Sequence, residues 1–343
     1  MKNRLFLITN ESIYEDKNNG FFCDNIDLKS IPECLSKFSE ISIIGRSSNK
    51  KRSKKININN INISNNIFFF LVSIFKSFKI KETKYLIVSL SPYTFVASLL
   101  LKIFFKQHFI YLRSNGFEEY KAIHGRFGSL VYYIFFKIGI INAKLIACRK
   151  HLLKSNRGFI VNPSQLNEKW FTNNKIQNNN KYNFLYVGRI RVEKGIFSLI
   201  EILKNTDLNL TIVTSEKDIK LEKNYKNIEL ISFENYDDSI MKFYDEHSIF
   251  ILPSYTEAHP QVLDEALARC RPVIIFKDID HVKRDREGVF VCERNLESLK
   301  DTFEFIKKNY ENILKKIKNN KLPTQKIFIN ELKTILFKDE QNS

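Results

Sequence analysis

Cysteine, glycine, proline and tryptophan are all scarce in this chain, at five, ten, seven and one among 343 residues. Cys23, Cys34, Cys148, Cys270 and Cys292 are odd in number, widely spaced, and include no C-x-x-C pair. That argues against a disulfide framework or a cysteine-based zinc site and fits a reducing cytoplasm. Long hydrophobic runs are missing too. "IFFFLVSIF" (67–75) and "LVYYIFF" (130–136) fall well short of the roughly 20 residues that span a bilayer. The opening "MKNRLFLITNESIYED" has too short an apolar run for a signal peptide. Acidic residues are sparse in the first half only. Residues 1–162 hold 26 Lys/Arg against 10 Asp/Glu, a net of +16, whereas 163–343 hold 29 against 28, a net of +1. The first half therefore suits an anionic partner, a membrane surface or nucleic acid. Zinc-finger, RNP and basic-zipper patterns are absent, which disfavours nucleic acid. Lys, Asn, Ile and Phe are abundant along the whole chain, so one Lys or Asn tract carries little weight by itself.

What is present is an alternation of short apolar runs with longer amphipathic stretches. In the first half "RLFLIT", "EISIIG", "KYLIVSLS", "HFIYLRS" and "AKLIACR" read as strands. Helix-like stretches lie at 92–106 and around 126–142, and the apolar "IFFFLVSIFKSFKIK" and "SLLLKIFFK" read as core helices. The second half restarts the pattern with "YNFLYVG", "LNLTIVTS", "IELISFE", "IFILPS", "PVIIFK" and "GVFVCE" as strands. Helices fall at "GIFSLIEILKN", "SIMKFYDEHS" and "PQVLDEALAR", and two more close the chain. Nearly continuous apolar strands separated by helices indicate parallel sheets covered on both faces. The expected fold is α/β with two doubly wound domains, 1–162 and 163–325, joined near the polar 163–182. A final helix within 326–343 is a candidate to pack back on the first domain. Ligands of such folds bind at the carboxyl ends of strands, here in the cleft the two domains would face.

Two segments carry candidate chemistry. "YVGRIRVEKG" (186–195) leaves a strand and enters a helix. Gly188 permits a tight exit, Gly195 a close backbone approach, and Arg189 and Lys194 supply two cations. That suits a diphosphate, although a merely solvated βα loop has the same composition. "SYTEAHPQVLDEALA" (254–268) places Glu257 before a helix started by Pro260 and Glu265 inside it. The helix N-terminus offers unpaired N–H groups and a positive dipole end. Two carboxylates on either side of it can accept hydrogen bonds from the hydroxyls of one extended ligand. Taken singly, Glu265 reads better as an exposed helix residue and Glu257 as a partner of the helix dipole. "DID" (278–280) reads as loop carboxylates, and no metal is expected. "GRSSNKKRSKK" (45–55) is either a solvated loop or a contact for anionic headgroups through Lys50, Lys51, Arg52, Lys54 and Lys55.

In this order and spacing the two segments resemble the donor-binding domain of glycosyltransferase family four, retaining enzymes of the GT-B fold. The shared features are a strand ending V-G-R, an E-K-G three residues on, and two glutamates with seven residues between them. The second glutamate opens E-A-x-A-x-x-x-P-V-I. The resemblance covers about 182–300 and implies two Rossmann-like domains facing a cleft. It implies that Gly188, Arg189 and Lys194 hold the diphosphate of a UDP- or GDP-sugar and that Glu257 meets the transferred sugar. Ala258, His259 and Val262 would line the donor site, and Glu265 would bind the ribose. The first half matches more weakly. Only Gly20 represents a glycine-rich loop, and "YLRSNGFEEYKAIHG" makes Arg113, Asn115 and Gly116 acceptor-side or sugar contacts. His124 would touch the reacting sugar; a surface helix histidine is the alternative. The chain departs from the family at Ala258 and Arg271, where glycine is usual, and at "KDIDHVKRDREG" in place of a Gly-Gly pair. These changes are expected near the sugar pocket.

The reading that follows is a retaining, metal-independent glycosyltransferase acting on a carbohydrate, lipid-linked acceptor in surface polysaccharide, capsule or lipopolysaccharide assembly. It would sit in the cytoplasm, peripheral to the inner membrane face. Catalytic roles fall to Arg189, Lys194, Glu257 and His124. The alternatives are a GT-B nucleotide-sugar epimerase or hydrolase, and a non-enzymatic basic protein that binds nucleic acid or membrane.

Overall fold

The computed structural model describes residues 4–172, 182–216, 225–233 and 239–337. Part of the polar joint read from the sequence, 173–181, lies outside them. The chain divides into two compact units, Met1–Asn162 with Lys326–Ser343 and Pro163–Gln325.

The first unit runs β1 (Arg4–Asp16), β2 (Gly20–Cys23), α1 (Ile26–Leu35), β3 (Glu40–Ser48), β4 (Lys54–Ile56), β5 (Asn60–Ser64), α2 (Ile67–Ser77), β6 (Thr83–Val88), α3 (Pro92–Ile103), β7 (His108–Leu112), α4 (Gly116–Gly139), β8 (Lys144–Ala147) and β9 (Phe159–Ile160). Its parallel strands lie in the order β5-β3-β1-β6-β7-β8-β9. Strand alternation divides their apolar side chains between two faces. Leu5 and Leu7 join the core under α1, while Phe6 stacks on Tyr85 beneath the helices of the other side. An antiparallel hairpin extends the far end of β1, with β2 on β1 and β4 on β2. The stretch "TNESIYEDKNNGFF", read as a glycine-poor loop, is therefore mostly strand. Gly20 takes φ +92 in the turn, a value glycine accepts without strain.

The basic stretch 45–55, read as a loop, comprises the end of β3, a short connection over 49–53 and the start of β4, and it is partly neutralised. Arg52 pairs with Asp24 at 2.6 Å, and the Arg46 guanidinium lies 4.9 Å above the Tyr93 ring. The two apolar runs read as core helices are helices, but only one side of each is buried. In α2 the buried residues are Phe70, Ile74 and Ser77, while Phe68, Phe69 and Phe75 are exposed.

The second unit runs β10 (Phe184–Val187), α5 (Ile196–Leu203), β11 (Leu210–Thr214), β12 (Ile228–Ser232), α6 (Ile240–Glu246), β13 (Ile249–Leu252), α7 (Gln261–Ala268), β14 (Val273–Phe276), β15 (Val289–Cys292), α8 (Leu296–Lys308) and α9 (Tyr310–Ile317). All its strands are parallel, in the order β12-β11-β10-β13-β14-β15. The order reverses between β10 and β13, the switch point at which sheets of this kind bind ligands. Helix α10 (Gln325–Phe337) then returns to the first unit and buries Phe328, Ile329, Leu332 and Leu336 in its core. Among the described residues no helix is long and apolar enough to cross a membrane.

Candidate functional site

Both motif segments leave the second sheet at its switch point. Past β10 the chain turns through Gly188, whose N–H bonds the Val213 carbonyl at 3.0 Å. The Tyr186 hydroxyl donates to the Arg189 carbonyl at 2.7 Å, which fixes the turn and leaves the Arg189 side chain exposed. A 3-10 turn over Val192–Lys194 ends at Gly195, with φ +67, and α5 follows. A Cβ at Gly195 would fall on the Pro253 carbonyl, so this glycine lets the two loops touch. The Tyr255 N–H bonds the Glu193 carbonyl at 3.0 Å and completes the join.

At that join the Lys194 ammonium meets Glu257 Oε1 at 2.6 Å. The Ser254 hydroxyl donates to the same oxygen at 2.7 Å, and the His281 Nε2 lies 2.9 Å from the Glu257 carbonyl. Lys194 and Glu257 are largely covered, with side chains 23 % and 10 % exposed. Pairing in reduced dielectric makes this contact stronger than a surface ion pair.

Pro260 is the N-cap of α7, one position before the first helical residue expected for it. The side chain of His259 is buried beside Asp264, Nε2 to Oδ2 3.4 Å, while Arg284 lies 3.0 Å from its Nδ1. Arginine can only donate, so Nδ1 accepts and Nε2 carries the proton toward Asp264. Arg286 clamps the other Asp264 oxygen at 2.6 Å. Ala258 and Val262 are half-buried beside these groups. Glu265 is buried rather than exposed on the helix. Burial lifts its carboxyl to about 7, opposed by the Tyr244 hydroxyl, which donates to Oε2 at 2.7 Å, and reinforced by the neighbouring Asp264. One carboxylate of the pair thus faces a lysine and the other a tyrosine.

The loop after β14 adds residues the motif did not single out. Lys277, Asp280, His281, Arg284 and Glu293 line an open depression of about 590 Å³. Asp278 is bound by Arg294 at 2.7 Å, and that guanidinium also lies 4.0 Å above the Tyr255 ring. Among the described residues no group of three His, Cys, Asp or Glu side chains is placed to hold a metal ion. Arg271 overturns its expectation. It precedes β14, so it lies at the amino end of that strand, opposite the loops of the site. It is 1 % exposed and its Nε bonds the Tyr244 carbonyl at 2.6 Å.

The remaining sequence candidates belong to the first unit. Arg113 pairs with the buried Asp27, Nε to Oδ2 3.3 Å. Asn115 stands at the N-cap position of α4 without a side-chain capping bond, and a Cβ at Gly116 would strike the Tyr132 ring, so this glycine admits a side chain of its own fold. His124 is exposed at the end of the first segment of α4, where Gly125 (φ 65, ψ −156) breaks the helix. Sequence reasoning missed Tyr244, Ser254 and His281. Ser254 stood inside the quoted motif, but no spacing rule points 21 positions upstream from Glu265 to Tyr244.

The family described as glycosyl transferases group 1 matches residues 168–322. An uncharacterized glycosyltransferase of Haemophilus influenzae is 31 % identical over 151 residues, 40 % of this chain and 41 % of that protein. The chain spans about two fifths of the length of the curated relatives it matches. Sucrose-phosphate synthase from Thermosynechococcus elongatus superposes with a TM-score of 0.70 at 14 % identity, over 97 % of this chain and 98 % of that one. WaaG, a glycosyltransferase involved in lipopolysaccharide biosynthesis, does so with a TM-score of 0.64 at 14 % identity, over 97 % and 99 %. Residues 168–322, which hold the switch-point site, are thus matched by the glycosyl transferases group 1 family, and the chain carries the GT-B fold.

Proposed function

We propose that this chain is a retaining glycosyltransferase that moves a hexose-type unit from a UDP- or GDP-sugar to a carbohydrate acceptor. The observation that carries the reading is the Lys194–Glu257 pair at the crossing of the two switch-point loops, with Glu265 one helix turn and more beyond it. The donor diphosphate takes Lys194 and Arg189 as counter-charges, and the backbone N–H groups around Ala258 and His259 face it. Lys194 then leaves Glu257, whose carboxylate accepts hydrogen bonds from the hydroxyls of the sugar. Glu265 accepts from the ribose. Stabilising charge on the departing diphosphate lowers the barrier without a metal or a protein nucleophile. On the acceptor side the reading assigns Arg113, Asn115 and Gly116, and gives His124 a contact with the reacting sugar. The acceptor is lipid-linked, in surface polysaccharide, capsule or lipopolysaccharide assembly, and the enzyme works at the inner face of the membrane. Lys50, Lys51, Lys54 and Lys55 meet anionic headgroups there.

A binding panel of UDP-, GDP- and ADP-sugars tests this reading. At least one binds, and Lys194→Ala or Glu265→Ala weakens it by about tenfold or more, as expected for lost charge-assisted hydrogen bonds. If no nucleotide sugar binds and nucleic acid does, the reading fails.

A further inference from the structure

Helices α2, α3 and α4 pack side by side as one layer on the first sheet, and the outer face of that layer is apolar. Phe75 of α2 meets Phe104 just past α3, and Phe95 of α3 stacks on Phe135 of α4, so the layer is continuous. After the break at Gly125, Phe127, Leu130, Ile134 and Ile138 recur every three or four residues on the exposed side of α4. The opposite side of α4 buries Tyr132 and Phe136. The part of α4 beyond Gly125 therefore carries apolar side chains on its exposed side as well as on its buried one. Phe68 and Phe69 of α2 and Phe105 after α3 continue the surface, and Phe105 is 92 % exposed. A contiguous apolar surface of this kind is uncommon on a monomer that contacts only water.

Cations are spread among these residues. Lys76, Lys102, Lys106, Lys121, Arg126 and Lys137 lie on the same layer or its edges, with only Glu82, Glu118 and Glu119 opposing them. The Lys137 ammonium lies 5.7 Å from the Tyr133 ring and the Lys106 ammonium 5.3 Å from that of Phe78. Long basic side chains lying over aromatic rings keep their charges at the polar boundary of an apolar surface.

We propose that the α2–α3–α4 face docks onto an anionic lipid bilayer. Its phenylalanine, isoleucine and leucine side chains enter the acyl boundary and its lysines meet the headgroups. Charge selects this occupant. A second copy would set one strongly basic surface against another, whereas an anionic bilayer complements it. The protruding residues include isoleucines and leucines, which offer neither stacking nor hydrogen bonds to a nucleic acid. The described helices do not span a membrane, so the protein lies on it. The inference needs no nucleotide sugar and stands whether or not the donor reading does.

Sedimentation of the full chain with phosphatidylcholine vesicles, with and without phosphatidylglycerol, tests the proposal. The chain co-sediments with the phosphatidylglycerol vesicles. Phe127→Ser/Leu130→Ser/Ile134→Ser, all exposed positions, weakens that binding about tenfold or more, with circular dichroism unchanged. Neutralising Lys50, Lys51, Arg52, Lys54 and Lys55 together leaves the part of the binding that survives about 0.5 M salt, where screening acts within roughly 4 Å. The proposal is overturned if the wild-type chain stays in solution with anionic vesicles. It is equally overturned if the triple variant binds them as well as wild type. Self-association abolished by the triple variant, without vesicle binding, would make the face a contact between copies instead.

Discussion

Glu265 sits where an ionised carboxylate is costly, and the hydrogen bond donated by the Tyr244 hydroxyl reduces the cost. Its carboxyl titrates near 7 in the fold against an ordinary 4.5, so folding takes up a proton between those values. Its contribution to stability is therefore full below about 4.5 and is lost as pH rises through about 7. Denaturation measured across that window should show a downward slope that Glu265→Gln flattens. Removing the tyrosine hydroxyl acts in the opposite direction on charge. Tyr244→Phe raises the carboxyl further, so nucleotide affinity at pH 7 should fall roughly fivefold, the worth of about one hydrogen bond. The loss should shrink above pH 8, once the carboxylate is ionised again. A loss independent of pH would mean that Tyr244 acts through packing alone.

At the scale of elements the site depends on how two loops cross. Gly195 stands in the left-handed region with the Pro253 carbonyl against it, so alanine there is wrong both in backbone and in space. Gly195→Ala should cost about 1–3 kcal/mol in urea denaturation and separate Lys194 from Glu257, lowering nucleotide affinity. An unchanged affinity would show that the pair is not held by the crossing. Much of this level was legible in the sequence. The six strands of the second sheet are short apolar runs with helical stretches between them, and burial on both faces produces that signature. The hairpin β1–β2 and strand β4 were not legible, because their apolar residues are interrupted by Asn, Lys and Asp and gain their partners only from distant pairing. Helix α1 was hidden by Pro32 within "IDLKSIPECL". The abundant asparagines, discounted as composition, include real caps: Asn25, Asn66 and Asn295 each accept a backbone N–H at a helix start. In the site, spacing identified the two glutamates. It gave no sign that Glu257 would be held by Lys194 and Ser254, or that Glu265 would be buried against Tyr244.

For the molecule as a whole, the division of labour follows the charge. The near-neutral second unit holds the candidate donor site, and the basic first unit carries the apolar face. The first unit is also discontinuous in sequence. Helix α10 fills its core, Tyr111 lies against Phe328, and Lys84 donates to the Leu336 carbonyl at 2.9 Å. Asn162 donates its N–H to Glu331 at 2.8 Å. Leu332→Ala should therefore lower the stability of the first unit by about 2–5 kcal/mol and leave nucleotide binding by the second largely intact. Two separate unfolding transitions, only the lower-lying of them shifted by the variant, would be the calorimetric sign. A single shifted transition would show that the two units unfold together.

Helix α10 also sets an order of events on the ribosome. Domains usually complete themselves as they emerge, the amino-terminal one first. Here the second unit is contiguous and has all its strands before residue 293, whereas the first waits for side chains as late as Leu336. The half made first is finished last. While it waits, its sheet is open on the α1 side and its Phe- and Ile-rich helices are uncovered on the other. That interval is when a nascent chain of this kind is most exposed to aggregation, to chaperones, or to early capture by a nearby membrane.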